Sequence, residues 1–596
     1  MKYTKEIITE RLDFITSKLK EEIIFRKGQK ETVIDICYSV LNKLHENVLL
    51  SAPTGSGKSC IAIFTSAVLV SFGKSGYIIT SNLDLQDQYS KDFKKYGFTW
   101  GTVKGIDNYI CSVNGESYSI GDCKNKSMKA QQIVNLPCYE NCGYLQARNR
   151  AIKSRVSLLN YSYWILQRNY VAERGKEIFE KRDFCIFDEA HKVEEIVQNH
   201  FSPQISSVTL DKITQIYQFL QSNFPFSLEK IIEPEIIDQL FWNLHSEENE
   251  EKLLELLTQI FACGATYGAS KTIIKDYIRD VFKEEDIPKD WLRILRCYDF
   301  LKDVLCKIED YLEIAKEFGA NILVKNMTED SVTFNILNTK LLLKKRFLQQ
   351  AESKIHMSAT FGDVDEYSFK VIDVKNYQKI EMDNLFNFEK SPIFLFKDSG
   401  KMSYHYKKES FPKNLQLVDE IVNIHKNSKG IIHSNSYDFT DYILTNSVWK
   451  NRLISYKSSS EKGAALEKMQ KRKDGILIGP SLLEGLDLKD DMSRFQIFLK
   501  VPYPNLANNY ISKKMKYDQN WYNWHTTIKI LQGIGRSIRN TEDYAITYLI
   551  DACFNEFISK NKEFLGDNFR KRLKLAEKAQ IPLLEKYINN FSEINN

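Results

Sequence analysis

The segment Ser51–Ser59, SAPTGSGKS, joins the apolar run Val48–Leu50 to a longer apolar stretch, Cys60–Phe72. A buried strand, a glycine-rich loop and then a helix leave few folds open. At such a junction the free backbone N–H groups of the first helical turn converge on one spot, where an anion is stabilised. Gly55 and Gly57 let the loop curl close to that anion, with Thr54 and Ser56 between and beside them. Lys58 supplies a point charge for outer phosphates, and Ser59 offers a hydroxyl to Mg²⁺. Ala52 provides the small residue at the start of the pattern. Without its flanks the run is an ordinary Gly/Ser turn; with them it reads as a nucleotide-phosphate loop.

The surrounding pattern repeats the strand–helix alternation. GYIIT reads as a second buried strand and LDLQDQYSKDFKKY as the helix after it, which predicts an α/β fold with a parallel sheet. Residues 1–30 read as helical, followed by a helix over Thr32–Leu44. At 596 residues several domains are expected. We read 1–103, 148–201 and 338–372 as one α/β domain. A cysteine-rich insert spans 104–147, a mainly helical insertion 202–337, and a second α/β domain 373–596. The chain is 43% hydrophobic and 27% charged, as soluble globular proteins are. It has no apolar run of membrane-spanning length and no signal-peptide core, so a cytoplasmic protein with no membrane partner is expected. The net charge of +5 demands no polyanionic partner.

Two further motifs bear chemistry. FCIFDEAH is a buried strand with acids at its carboxyl end, the ligand-binding edge of open α/β sheets. Asp188 is placed to hold Mg²⁺ and Glu189 to orient and deprotonate an attacking water. QGIGRSIRN carries Arg536 and Arg539, three apart and so on one face if helical, suited to reach a γ-phosphate across a cleft. Four of the 11 cysteines, Cys111, Cys123, Cys138 and Cys142, crowd into one segment. Four thiolates suit either Zn²⁺ or a cubane cluster, and structural zinc normally shows two tight pairs where only CYENC is tight here. Lys104, Lys124, Lys126, Lys129, Arg148, Arg150, Lys153 and Arg155 interleave with Tyr109, Tyr139 and Tyr144. That mixture suits a single nucleic-acid strand, whose phosphates meet cations while its bases stack.

APTGSGKS, TSNLDLQDQ, DEAH, SAT, GPSLLEGLDL and QGIGRSIR occur in the order of superfamily 2 helicase motifs. DEAH, LLEGLDL and VPYPN resemble the XPD/DinG branch, and KGIDNYIC with three further cysteines is similar to the iron–sulfur segment of that branch. The resemblance covers most of residues 26–551 and implies two RecA-like domains, with a cluster-bearing insert and an arch-like helical insertion in the first. It implies ATP and Mg²⁺, a 4Fe–4S cluster on the four cysteines, and adenine contacts from Arg26 and Gln29. By the same resemblance Ser358 and Thr360 couple the domains, and Glu484, Asp487 and Gln532 line the cleft. Where the family often has an arginine after ITYLID, this chain has Ala552 and Cys553. The expected activity is ATP-driven 5′→3′ movement on single-stranded DNA with unwinding of a fork or duplex, with protein partners docking on the helical insertion. Two alternatives share these motifs: a translocase that remodels protein–DNA complexes without unwinding, and an ATP-switched adaptor of a larger assembly.

Overall fold

The computed structural model describes residues 2–588 except 54, 113–114, 116–117, 119–135, 137, 168–178, 283–286, 320–322, 345–347, 349–350, 384–387, 459–460, 481, 483–489, 538–542 and 586–587. Strands β1 (Asn47–Ser51), β2 (Gly76–Thr80), β3 (Gly101–Thr102), β4 (Val156–Asn160) and β5 (Arg182–Asp188) begin the first sheet. Three more, β6 (Gln204–Ser206), β7 (Leu323–Thr328) and β8 (Ser331–Ile336), lie in the insertion, and β9 (Ala351–Ser358) and β10 (Tyr377–Glu381) return to the first sheet. Its order is β10-β1-β9-β5-β2-β4-β3, every neighbouring pair parallel. The central strands are apolar on both faces, as helices covering both sides require.

The second sheet comprises β11 (Ile393–Phe396), β12 (Gly430–His433), β13 (Leu453–Ile454), β14 (Ile476–Gly479), β15 (Phe495–Phe498), β16 (Ile546–Leu549) and β17 (Leu573–Ala576). It too is parallel, ordered β13-β14-β12-β15-β16-β11-β17. The two α/β halves predicted from the alternation are therefore both present, each with buried clusters of its own.

The structure differs from the sequence reading in four places. The first helix, α1 (Lys5–Thr16), stops well short of residue 30, and the next, α2, spans Gln29–Leu41 after Gly28 in a left-handed turn. The boundary at 372 leaves Tyr377–Glu381 in the second half, yet β10 pairs with β1 from Asn47↔Tyr377 to Ser51↔Glu381. The insertion contains long helices but also the antiparallel sheet β6-β8-β7 at its root. Its strands are short and half polar, which masks their period. Finally, Arg536 is not helical: the helix ends at Ile534, Gly535 caps it, and Arg536 lies in the turn beyond. Arg539 lies outside the described residues.

Candidate nucleotide site and the contacts across it

The helix α3 (Lys58–Ser71) starts where β1 ends, and Gly55 (φ 80°) and Gly57 (φ 77°) occupy the left-handed region. Ala52 N–H donates to Ser358 O (2.9 Å), fastening the loop to the neighbouring strand β9. A Cβ at Gly57 would stand 2.3 Å from Gln29 Nε2. Gln29 is buried at the start of α2. Its Oε1 accepts from the Arg26 backbone N–H (2.7 Å) and its Nε2 donates to Ser56 O (2.6 Å). The Arg26 guanidinium donates to Gly55 O. Both residues predicted to meet adenine thus brace the phosphate loop directly. Ser56 Oγ is buried with no protein partner. Paired with the free N–H groups at the start of α3, it fits a phosphate oxygen. The Ser59 hydroxyl hydrogen-bonds Asp92 of α4 (Leu83–Tyr96), and Thr54 lies outside the described residues.

Lys58 Nζ stands 3.5 Å from Glu189 Oε1. Asp188, at the end of β5, is buried. Its Oδ2 accepts from Tyr89 OH (2.8 Å) and its Oδ1 from the Glu189 backbone N–H (2.9 Å). Burial, then the Glu189 charge, push the Asp188 carboxyl up to about 6. Burial acts the same way on Glu189, but Lys58, His191 and Lys192 outweigh it and hold that carboxyl below the ordinary glutamate range. A positive centre beside Asp188 would favour its ionised form, as the predicted Mg²⁺ role needs. Glu189 itself sits at φ 54°, ψ 46°, a left-handed conformation that is costly for a side chain of this size and turns the carboxylate back toward Lys58.

His191 joins this site to the second sheet. Its Nδ1 lies 2.7 Å from Ser358 Oγ, 3.4 Å from Thr360 Oγ1 and 3.3 Å from Glu189 Oε2. Its Nε2 lies 2.6 Å from Nε2 of Gln532, near the end of the helix Gln519–Ile534, whose neighbour is the helix Asn509–Tyr517. Gln532, Ser358 and Thr360 therefore meet around one imidazole. Arg536 is close enough to His433, at the end of β12, to depress that imidazole, although burial does more. Glu484 and Asp487 lie outside the described residues. Tyr89 and His191 were not assigned roles from sequence. Tyr89 belongs to the buried stripe Gln86, Tyr89, Phe93 of α4 and is legible as core, but its bond to a residue 99 positions on is not.

In the cysteine-rich segment Cys111, Cys138 and Cys142 are buried and Cys123 lies outside the described residues. Among the described residues no three or more His, Cys, Asp or Glu side chains stand together as a metal-holding group. Tyr144 is not a stacking platform: it is buried, with Tyr118 at 4.5 Å and Tyr109 at 5.5 Å between ring centroids and its OH 3.2 Å from Tyr163 OH. Tyr139 is half-buried against the same cluster. The helix α5 (Gly143–Lys153) leaves Arg150 and Lys153 exposed, and Arg155 beyond it is exposed too. Lys104 pairs with Asp87 (2.6 Å), and Lys124, Lys126 and Lys129 lie outside the described residues. No helix among the described residues is long and apolar enough to cross a membrane.

Residues 22–228 match the family described as Type III restriction enzyme, res subunit, and residues 419–571 the Helicase C-terminal domain family. A probable ATP-dependent helicase of Methanocaldococcus jannaschii is 23% identical over 661 residues, covering 95% of this chain and 97% of its own. The ATP-dependent DNA helicase YoaA of Haemophilus influenzae is 21% identical across 92% of this chain and 93% of its own. A solved XPD helicase shares the fold, with TM-score 0.57 at 16% identity over 93% of this chain and all of that one. With a phosphate loop on one parallel sheet bridged through His191 to a helix of the other, the chain is built as an ATP-hydrolysing helicase and is similar to the XPD/DinG-like branch of superfamily 2.

Proposed function

We propose that this enzyme is a cytoplasmic DNA helicase that moves 5′→3′ on single-stranded DNA and separates the duplex ahead of it. The observation that carries this reading is the contact chain Lys58–Glu189–His191–Gln532, which ties the phosphate loop of one sheet to a helix of the other. Through it a change at the γ-phosphate would reach that helix. In this reading Lys58 and the loop N–H groups hold the phosphates, Ser59 and Asp188 would hold Mg²⁺, which would offset phosphate charge, and Glu189 takes the proton of the attacking water. Arg536 and Arg539 complete the site, with Asp487 and Gln532 lining it and Arg26 and Gln29 beside the base. ATP supplies the free energy of phosphoryl transfer. The residues across the cleft convert closure and reopening into a step along the strand.

The four cysteines of the insert are assigned to a 4Fe–4S cluster on the strength of their number, spacing and setting in the motif order. The exposed cations Arg150, Lys153 and Arg155 suit DNA phosphates at the same place. Strand displacement on 5′-tailed, 3′-tailed and blunt duplexes, with ATP hydrolysis followed alongside, tests the reading. Unwinding of the 5′-tailed duplex alone is the expected result. Stimulated hydrolysis with no displacement on any substrate would make the enzyme a translocase, and displacement from the 3′ tail would reverse the polarity.

A further inference from the structure

Glu194 lies three residues beyond His191, on α6 (Val193–Phe201), and its carboxylate is buried. Its partners come from three separate parts of the chain. Oε1 accepts from Thr339 Oγ1 (2.8 Å), where the insertion rejoins the first sheet, and from Lys514 Nζ (3.2 Å) on the helix Asn509–Tyr517. Oε2 accepts from Trp521 Nε1 (2.9 Å) at the start of the helix Gln519–Ile534. Lys514 is itself buried and donates to Leu337 O as well. A buried carboxylate is tolerable only while such donors surround it, so the four groups are held together or not at all.

Trp521 and Gln532 are eleven residues apart on one helix, about three turns, and so lie on the same face. Trp524, between them on that face, donates from Nε1 to Phe361 O (2.6 Å). Among the described residues, side-chain hydrogen bonds tie the helix to the first half at three points: Glu194 at its start, the Phe361 carbonyl further along and His191 near its end. Two of these are single contacts. Of the three, the Glu194 end has a charged acceptor, shared between two donors of the second half and one at the root of the insertion, and hydrogen bonds to an ionised acceptor are the stronger kind. Ile528, on the same face, packs in the cluster that includes Trp521 and Trp524.

We propose that Glu194 is a positioning residue: through Lys514 and Trp521 it seats the helix Gln519–Ile534 so that Gln532 meets His191. Glu194 touches no part of the nucleotide site. It fixes the far end of the lever whose near end completes it, and it links that lever to the insertion through Thr339. Loss of the charge lets the helix tilt about Trp524 and draws Gln532 off His191. The proposal rests on the reading of this cleft as the ATP site, and the Lys58→Ala variant of the full chain tests that reading separately.

The experiment is a double-mutant cycle on DNA-stimulated ATP hydrolysis by the full chain, using wild type, Glu194→Gln, Gln532→Ala and the double variant. Glu194→Gln should lower kcat by ~10- to 100-fold, the scale of a small misplacement, with the KM for ATP changed far less. The double variant should be no slower than Gln532→Ala alone, because both changes break one link. Trp521→Phe, which removes the indole donor together with part of the ring, should give a loss of the same kind and serves if Glu194→Gln does not fold. Independently of turnover, amide exchange in nucleotide-free protein should quicken along 528–534 in either variant. Multiplying effects in the double variant, an unchanged kcat, or unchanged exchange at 528–534 would each overturn the proposal. Wild-type turnover that Lys58→Ala does not reduce would instead remove the ATP-site reading and leave the exchange result to judge Glu194.

Discussion

Nε2 of Gln532 lies 2.6 Å from Nε2 of His191, across 341 residues of sequence. One of these two nitrogens belongs to the turn after the acidic strand, the other to the helix that carries the chain toward Arg536. The imidazole also faces Ser358, Thr360 and Glu189, so one ring gathers the motifs of both halves.

The first prediction concerns the phosphate clamp and the base. Lys58→Ala and Glu189→Gln should each reduce ATP hydrolysis by at least ~100-fold, the usual worth of one placed charge or base. Glu189→Gln should still bind nucleotide, because its loss acts on the water rather than the phosphates. Steady-state hydrolysis and nucleotide-binding titrations of the two variants decide the matter; near-wild-type turnover in both would remove the roles assigned to them.

The second concerns the cysteines. Protein purified without oxygen should be brown and hold about four irons per chain. Replacing Cys111, Cys123, Cys138 or Cys142 by Ser should bleach it, while Cys263→Ser in the helical insertion should not. Metal analysis giving stoichiometric zinc and no iron would replace the cluster with a zinc site.

A third prediction contrasts two glycines. A methyl added at Gly101 on β3 would stand 2.4 Å from Ala151 Cα and 2.6 Å from Ala151 N, both backbone of α5 and unable to swing away. Gly101→Ala should therefore destabilise the chain by about 1–3 kcal/mol, as overpacking does. At Gly268, within the helix Glu250–Val281, no atom lies within 4 Å of the added methyl. Gly268→Ala should be stabilising by about 0.4–1 kcal/mol, through helix propensity and the unfolded chain. Thermal denaturation of the two variants should shift in opposite directions.

The fourth concerns acid. Burial, with Arg452 adding to it, lowers the His425 imidazole to about 3, and burial lowers that of His433 to about 4. Unfolded, each titrates near 6.5. As pH falls below 6.5 the unfolded chain takes up protons that the folded one refuses, so stability drops until the folded values are reached. By pH 5 the loss is about 2 kcal/mol for each histidine. The melting temperature of His425→Gln should fall less steeply between pH 7 and 5 than that of wild type, and parallel curves would show that His425 does not contribute.

The phosphate loop, the acidic strand and the parallel α/β halves were legible because each depends on a few adjacent residues. Helix termination at Ile534 depends on backbone geometry that an i, i+3 count does not see, so the turn that holds Arg536 is not legible from the spacing of the arginines. The insertion's small sheet was hidden by short strands such as LVKNMT, whose outer half is polar. Least legible were the links across long separations. Nothing near Glu194 announces Lys514, 320 residues away, and Trp524 reads as plain core until Phe361 O is found against it. Burial follows a local period; the identity of a distant partner does not.

The strand β10 lies beside β1, and Met382 N–H donates to Ser51 O at the threshold of the phosphate loop. The covalent connection between the two motors therefore leaves from the strand next to the one that holds the phosphates. Tension on that connection runs along the strand axis, across a row of hydrogen bonds that must all yield at once rather than peel apart singly. The joint is built to bear load in shear, and the force passes within one residue of the loop that senses whether nucleotide is present.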